Sequence, residues 1–151
     1  MGFKMPNRAQ ISEIMTTNVF TVSIEDTLKD VEIIMNSEKV RHIPVLEGTK
    51  IVGMICDDRL REYSLRQIYD SEQNFGEEGF NKIIDFEKVM KEVTHVIYPE
   101  DSVAKAVKMF AKYKIDCLPV VDWDMNLVGL VTHTDILLYF NKFLEEIESV
   151  P

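Results

Sequence analysis

Cysteine, long apolar runs and positive charge are all scarce in this chain of 151 residues. The two cysteines, Cys56 and Cys117, form no Cys-x-x-Cys pair, which argues against a disulfide framework and against a cysteine zinc site. No run approaches the roughly 18 apolar residues of a membrane span, and the first residues lack the apolar stretch of a signal peptide. We therefore expect a cytoplasmic protein with reduced thiols and no membrane partner.

The charge balance is acidic, with 17 Lys and Arg against 26 Asp and Glu and a net charge of −9. Because nucleic-acid backbones are bound through Lys and Arg, this balance predicts that nucleic acid is not a partner. It leaves room for a small anion held by local donors. The 46% apolar content excludes a disordered acidic chain.

Motifs of the common enzymes are also lacking. The three histidines, His42, His95 and His133, have no metal-binding spacing, and neither G-x-S-x-G nor G-x-x-x-x-G-K-[ST] occurs. Cys56 has no identified base that would make it a nucleophile. The sequence therefore predicts a protein that is not an enzyme and that requires neither a metal nor a cofactor.

An internal repeat is the main positive feature. Segments that begin at Ile14 and Val89 align with a shift of 75 positions, which places Pro44 on Pro119. After a one-residue insertion near Asn126, the shared Val-Gly pairs also coincide. Such an ordered set of landmarks indicates a duplicated unit of roughly 50–60 residues, too small to be comfortable alone.

Each copy predicts the order β-α-β-β-α. A short strand (20–22 or 96–98) precedes a helix capped by Asp26 or Thr27, or in the second copy by Asp101 or Ser102. A hairpin of apolar strands and a final helix (58–72 or 134–148) follow. Gly53 and Gly129, inside the second hairpin strands, predict a bulge or a close backbone approach. The predicted domains are repeat 1 at 11–72, a connecting segment at 73–85 and repeat 2 at 86–148.

With these landmarks the chain resembles a tandem pair of cystathionine-β-synthase (CBS) domains. The resemblance covers about residues 11–145 and is carried by H-I-P-V, C-L-P-V and the run Gly129–Ile136, which matches the family's G-h-h-[ST]-x-x-D-h motif. It implies an α/β (α+β) fold, in which two β-α-β-β-α CBS repeats pack with pseudo-two-fold symmetry into one Bateman-type module. It also implies a stand-alone regulatory module that binds AMP, ADP or ATP between its repeats and signals to a regulated protein the sequence does not identify.

The residues of the motif suit this chemistry. Thr132 ends a strand and Asp135 falls in the first turn of the next helix, where amides and the helix dipole attract anions. Hydroxyls of Thr132 and Thr134 can donate to phosphate, and the Asp135 carboxylate can accept two ribose hydroxyls. His133 can turn towards phosphate with a charge that depends on pH. The alternative is a plain helix-capping role for Thr132 and Asp135.

The resemblance adds residues from the other repeat to this nucleotide site. Val40 and Ile43 would form apolar walls for a purine, and Arg41 and His42 are the nearest upstream cations, with a solvated loop as their alternative role. The carried-over set is Met15, Thr16, Val40, Arg41, His42, Ile43 and Pro44.

The first copy departs from the motif, because Cys56 stands in place of Thr132 and Arg59 in place of Asp135. A guanidinium cannot accept bonds from ribose hydroxyls, so Arg59 would meet a phosphate or pair with Asp57, Asp58 or Glu62 on its own helix. The companion cleft is an empty or structural second site, formed by Arg59, Met90, Ile115, Cys117, Leu118 and Pro119.

Two other interpretations stay open. S-adenosylmethionine is an alternative ligand, and a ligand-independent dimerisation module is an alternative function. CBS pairs associate through helical faces, and the final helices, 58–72 and 134–148, are rich in apolar residues. We therefore expect a homodimer.

Overall fold

The computed structural model describes residues 3–73 and 83–149 and divides the chain into two compact units. The first unit combines Met1–Val19 with His95–Pro151, and the second unit is Phe20–Thr94. The first unit therefore takes its body from repeat 2 and its leading segment, Met1–Val19, from repeat 1. The second unit takes its body from repeat 1, together with the residues of repeat 2 that precede His95. This exchange decides which residues can meet at a functional site.

The second unit contains a three-stranded sheet in the order β1-β2-β3. Strand β1 runs parallel to β2, and β2 and β3 form an antiparallel hairpin. Its elements are β1 (Val22–Ser23), α1 (Leu28–Glu38), β2 (His42–Glu47), β3 (Lys50–Cys56), α2 (Asp57–Gln73) and α3 (Ile83–Val89). The duplicated β-α-β-β-α order is confirmed for this copy.

The first unit repeats this plan with one difference. Its elements are a short 3-10 helix (Ile11–Glu13), α4 (Val103–Tyr113), β4 (Cys117–Val121), β5 (Leu127–Thr132) and α5 (His133–Glu148). The strand predicted over 96–98 is wrong, because only an isolated parallel bridge joins Ile97 to Val120. In the first copy the ladder continues through the amide of Ile24, which donates to Leu46 O at 3.0 Å. The equivalent residue is Pro99, which has no N–H to donate.

The helix ends show why the sequence folds this way locally. Thr27 Oγ1 accepts from the Asp30 amide at 3.2 Å, and Ser102 Oγ accepts from the Lys105 amide at 3.1 Å. Of the two capping candidates in each copy, the hydroxyl residue is therefore the cap. Both helices end on a lysine in the left-handed conformation, Lys39 with φ 54° and Lys114 with φ 52°.

Each unit has its own apolar core built around its hairpin. Ile43, Val45 and Ile55 are fully buried in the second unit. Leu118, Val120 and Val131 are fully buried in the first. The continuous apolar strands are thus covered by packing, as their sequence predicts.

Most of the predicted connecting segment lies outside the described residues, which omit 74–82. The segment's ends are helical: Gln73 closes α2, and Ile83 opens α3. Domain boundaries at 72 and 86 stay a prediction. No described helix has both the length and the apolarity to span a bilayer.

Candidate functional site

The leading segment of the chain reaches the end of strand β5. Thr16 and Leu130 exchange two backbone hydrogen bonds, each of 2.9 Å. Gly129 makes room for this approach, since a Cβ there would lie 2.9 Å from the Thr16 carbonyl oxygen. The predicted close approach at Gly129 is confirmed, and Gly53 packs in the equivalent way against Met90.

This pairing brings Thr16 to Asp135, at the start of α5. The Thr16 hydroxyl donates to Asp135 Oδ1 at 3.1 Å, across 119 positions of sequence. The other oxygen, Oδ2, accepts from the Thr132 amide at 2.9 Å and from the Thr132 hydroxyl at 3.3 Å. The Oδ2 bonds are those of a helix cap, while the Oδ1 bond ties the carboxylate to the leading segment. The carboxylate is therefore fixed in orientation by two separate parts of the first unit.

His133 and Thr134 occupy the first turn of α5 in different ways. His133 Nε2 lies 3.0 Å from the Ile115 carbonyl oxygen, and the ring meets Phe110 edge-on with centroids 5.0 Å apart. The His133 amide also donates to the Asp116 carbonyl at 3.3 Å. In this orientation the imidazole contacts α4 and the segment between α4 and β4, and the predicted turn towards phosphate stays a prediction. Thr134 is exposed at the same turn, with its hydroxyl open to solvent.

Met15, another predicted nucleotide contact, is half-buried beside Gly129 in the first unit. The predicted contacts Val40 to Pro44 belong to the second unit. Ile43 is fully buried in that unit's core, and its role as a wall for a purine stays a prediction. Val40 and His42 are half-buried, and Pro44 is buried. Arg41 is exposed, with its Nε 3.6 Å from Asp57 Oδ2. Arg41 therefore lies in an exposed bend just before β2, as in the solvated loop considered for it, with one ion pair at the surface.

In the first copy, where the motif departs from the family pattern, Arg59 is exposed and Cys56 is buried. Asp57 pairs with Arg41 and Arg61, and the Arg59 amide, not its guanidinium, donates to Asp58 Oδ1 at 2.8 Å. Glu62 pairs with Arg66 at 2.7 Å. Among the described residues, Asp57 and Glu62 are thus paired with arginines other than Arg59.

The remaining residues of the predicted companion cleft are divided between the units. Met90 lies in the second unit beside Gly53. Ile115, Cys117, Leu118 and Pro119 lie in the first, where Leu118 and Pro119 are buried and the other two are half-buried. The second site stays a prediction.

Sequence reasoning missed a cavity beside Asp135. Its volume is about 430 Å³, and it lies between α5 and the leading segment of the first unit. One wall consists of four residues of α5, namely Asp135, Leu138, Tyr139 and Lys142. Their i, i+3, i+4, i+7 spacing in the sequence already indicates that they share one face of a helix. Within residues 3–73 and 83–149, no group of three or more His, Cys, Asp and Glu could hold a metal.

Comparison with curated proteins identifies relatives of different lengths. The chain is 30% identical over 128 residues to the CBS domain-containing protein YhcV of Bacillus subtilis, covering 85% of this chain and 83% of the relative. It is 32% identical over 119 residues to an inosine-5'-monophosphate dehydrogenase of Korarchaeum cryptofilum, covering 79% of this chain. The chain spans only 22% of that enzyme's length, so the match is to one region of a longer protein.

Solved structures show the same fold. CBSX2, a CBS-pair protein of Arabidopsis thaliana crystallised in complex with AMP, has a TM-score of 0.73 at 19% identity, covering 90% of this chain and 98% of CBSX2. The CBS domain pair of protein MJ0100, in complex with 5'-methylthioadenosine and S-adenosylmethionine, has a TM-score of 0.73 at 20% identity, covering 89% and 98%. The CBS domain profile matches residues 11–66 and 86–142. The chain therefore belongs to the CBS domain family, with one CBS domain in each half.

Proposed function

We propose that this protein is a regulatory module that binds an adenine nucleotide, AMP, ADP or ATP, at the start of α5. The observation that carries the proposal is the oriented Asp135 carboxylate, held by Thr16 at one oxygen and by Thr132 at the other. Oδ1 keeps a second lone-pair site beside its bond from Thr16. Oδ2 accepts two bonds from Thr132, and the longer one, from the hydroxyl at 3.3 Å, would give way to a ribose hydroxyl, so that the carboxylate accepts both vicinal hydroxyls. The structures of relatives with AMP, 5'-methylthioadenosine and S-adenosylmethionine support an adenosine-containing ligand.

The first turn of α5 supplies the complementary donors for phosphate. The exposed Thr134 hydroxyl lies at the positive end of a helix of 16 residues. His133 contacts Ile115 in this orientation, and its contact with phosphate stays a prediction. Residues Val40 to Pro44 stay predicted contacts for the purine. A bound nucleotide would act on a regulated protein only by favouring one conformation over another through differential affinity.

Isothermal titration calorimetry of the full chain with AMP, ADP, ATP, GTP and S-adenosylmethionine tests the proposal. We expect an adenine nucleotide to bind, and Asp135→Asn to weaken it at least tenfold, by about 1.4 kcal/mol, because the ribose loses a charged acceptor. Asp124→Asn is the matched control, since Asp124 is exposed in the β4–β5 turn of the same unit. If every adenosine ligand failed to bind, or bound Asp135→Asn as tightly as wild type, the proposal would be overturned.

A ligand-independent dimerisation module is the second candidate. The observation that favours it is a set of exposed apolar side chains on α5, namely Leu137, Leu138, Leu144 and Ile147. Light scattering with and without nucleotide separates the two functions. A stable dimer that takes up no nucleotide in calorimetry would support this second candidate.

A further inference from the structure

The cavity beside Asp135 has the size of a small-molecule site and is open to solvent on one side. Its volume of about 430 Å³ falls within the range of roughly 300–1,000 Å³ that is typical of ligand pockets. The helix wall runs over two turns of α5, from Asp135 to Lys142, about 10.5 Å along the axis at 1.5 Å per residue. Phe3, Lys4, Glu13 and Ile14 of the leading segment form the facing wall.

The floor of this cavity is apolar and already ordered. Tyr139 is 5% exposed, and its hydroxyl donates to the Lys4 carbonyl. The Phe3 ring packs on Tyr139 with centroids 4.8 Å apart, and Leu138 and Ile14 complete the apolar surface. A flat apolar group can therefore bind here without a prior rearrangement of the floor.

The lining carries two acidic and two basic side chains, and one acid and one base of these form an ion pair with each other. Lys4 Nζ pairs with Glu13 Oε1 at 2.8 Å, and Glu13 Oε2 accepts from the Gln10 amide at 2.6 Å. Asp135 is held by its three bonds to Thr16 and Thr132. Lys142 has no ion pair within residues 3–66 and 86–149, where side chains are described. The cavity therefore presents the Lys142 ammonium at one end of its helix wall and the Asp135 carboxylate, which is hydrogen-bonded to neutral donors, at the other end.

We propose that this cavity is a second small-molecule site of the first unit, and that it binds a monoanion with a flat apolar body, such as an aromatic carboxylate. The carboxylate would pair with Lys142 Nζ, and the ring would lie on Tyr139, Leu138 and Ile14. The cavity shares Asp135 with the proposed nucleotide site, but Lys142 is not part of the Thr132–Asp135 motif, so a Lys142 variant tests this site separately.

Phenylacetate is a suitable probe, with the neutral phenylacetamide as its isostere. We expect phenylacetate to bind the full chain with a Kd below about 1 mM, as followed by ¹H–¹⁵N NMR, and to shift the amides of residues 138–142. The amide should bind about tenfold more weakly, because a charge-assisted hydrogen bond is lost. Lys142→Gln should reduce phenylacetate affinity to the level of the amide. Lys108→Gln, an exposed lysine of α4, is the matched control.

Three outcomes would overturn this site. Phenylacetate could fail to bind, the acid and the amide could bind equally well, or Lys142→Gln could weaken ATP while leaving AMP and phenylacetate unchanged. The last result would make the cavity an arm for the phosphate chain of a nucleotide at Asp135. AMP titrations on Lys142→Gln keep the two proposals distinguishable, since AMP should bind this variant as it binds wild type.

Discussion

At the scale of single residues, Asp135 illustrates how one side chain serves both folding and a candidate site. Its Oδ2 closes the first turn of α5 through Thr132, as a capping residue does. Its Oδ1 meets the Thr16 hydroxyl of the leading segment, which no isolated helix start would require. The capping interpretation and the ribose interpretation are therefore compatible, because the cap bond from the Thr132 amide occupies one lone-pair site of Oδ2 and leaves a site on Oδ1 open to a ribose hydroxyl.

Gly129 is the residue that permits the leading segment to approach β5. We expect Gly129→Ala to destabilise the protein by about 1–3 kcal/mol, because the new Cβ would meet the Thr16 carbonyl, a backbone atom that cannot swing away. Urea unfolding followed by circular dichroism measures the change. Gly48→Asn is the control: Gly48 has φ 64° and open space around it, and Asn tolerates that conformation, so little change is expected. Equal stability of Gly129→Ala and wild type would contradict the close approach.

Tyr139 gives the stability a dependence on alkaline pH. Burial raises the pKa of the Tyr139 phenol above its ordinary value of 10.0, and the nearby Glu13 charge raises it further. A raised pKa in the folded state means that the contribution is fully present below pH 10 and is lost as the pH rises through the folded value. The difference in unfolding free energy between wild type and Tyr139→Phe should therefore be constant from about pH 7 to 9 and shrink above about pH 10. A difference that does not change across this range would contradict the burial of the phenol.

At the scale of secondary-structure elements, the start of α1 is a reciprocal cap. Thr27 accepts from the Asp30 amide, and Asp30 Oδ2 accepts from the Thr27 amide at 3.0 Å. We expect Thr27→Ala to lower the unfolding free energy by about 1 kcal/mol. Chemical denaturation is the measurement, with Ser37→Ala in the last turn of the same helix as a control of small effect. A Thr27→Ala protein as stable as the control would show that the cap contributes nothing.

The elements also show where local sequence is informative. The hydroxyl caps, the apolar hairpin strands and the positions of α2 and α5 follow from residue type and periodicity, which act over a few residues. The strand predicted over 96–98 does not form, because Pro99 has no amide hydrogen to donate to the ladder. The sequence contains this proline, but the apolar pattern of 96–98 by itself favours a strand. The orientation of the His133 ring cannot be predicted from the local sequence, because it depends on contacts with Ile115 and Phe110, which lie at least 18 residues away.

At the scale of the whole molecule, the exposed apolar side chains of α5 predict self-association. Leu137 is 68% exposed, and replacing it with Asp would place a charge in any interface formed by this face. Light scattering should give about twice the chain mass of 17.5 kDa for wild type and the single-chain mass for Leu137→Asp. Ile33→Asp, on the exposed face of α1, is the matched control and should remain dimeric. A wild-type protein that is monomeric at all concentrations would contradict the expected homodimer.

The duplication, the CBS motif at the start of α5 and the acidic balance were determined by the sequence alone. They are properties of residue identity and order, so a shift of 75 positions is enough to reveal them. The tertiary structure decided that the leading segment of the first repeat packs in the unit of the second, which brings Thr16 to Asp135 and forms the cavity along α5. The two leading segments have similar local patterns, with Met15 and Met90 in equivalent places, so no local rule says which hairpin each will join. That choice depends on packing between residues more than a hundred positions apart, such as Thr16 and Asp135, which come into contact only in the folded chain.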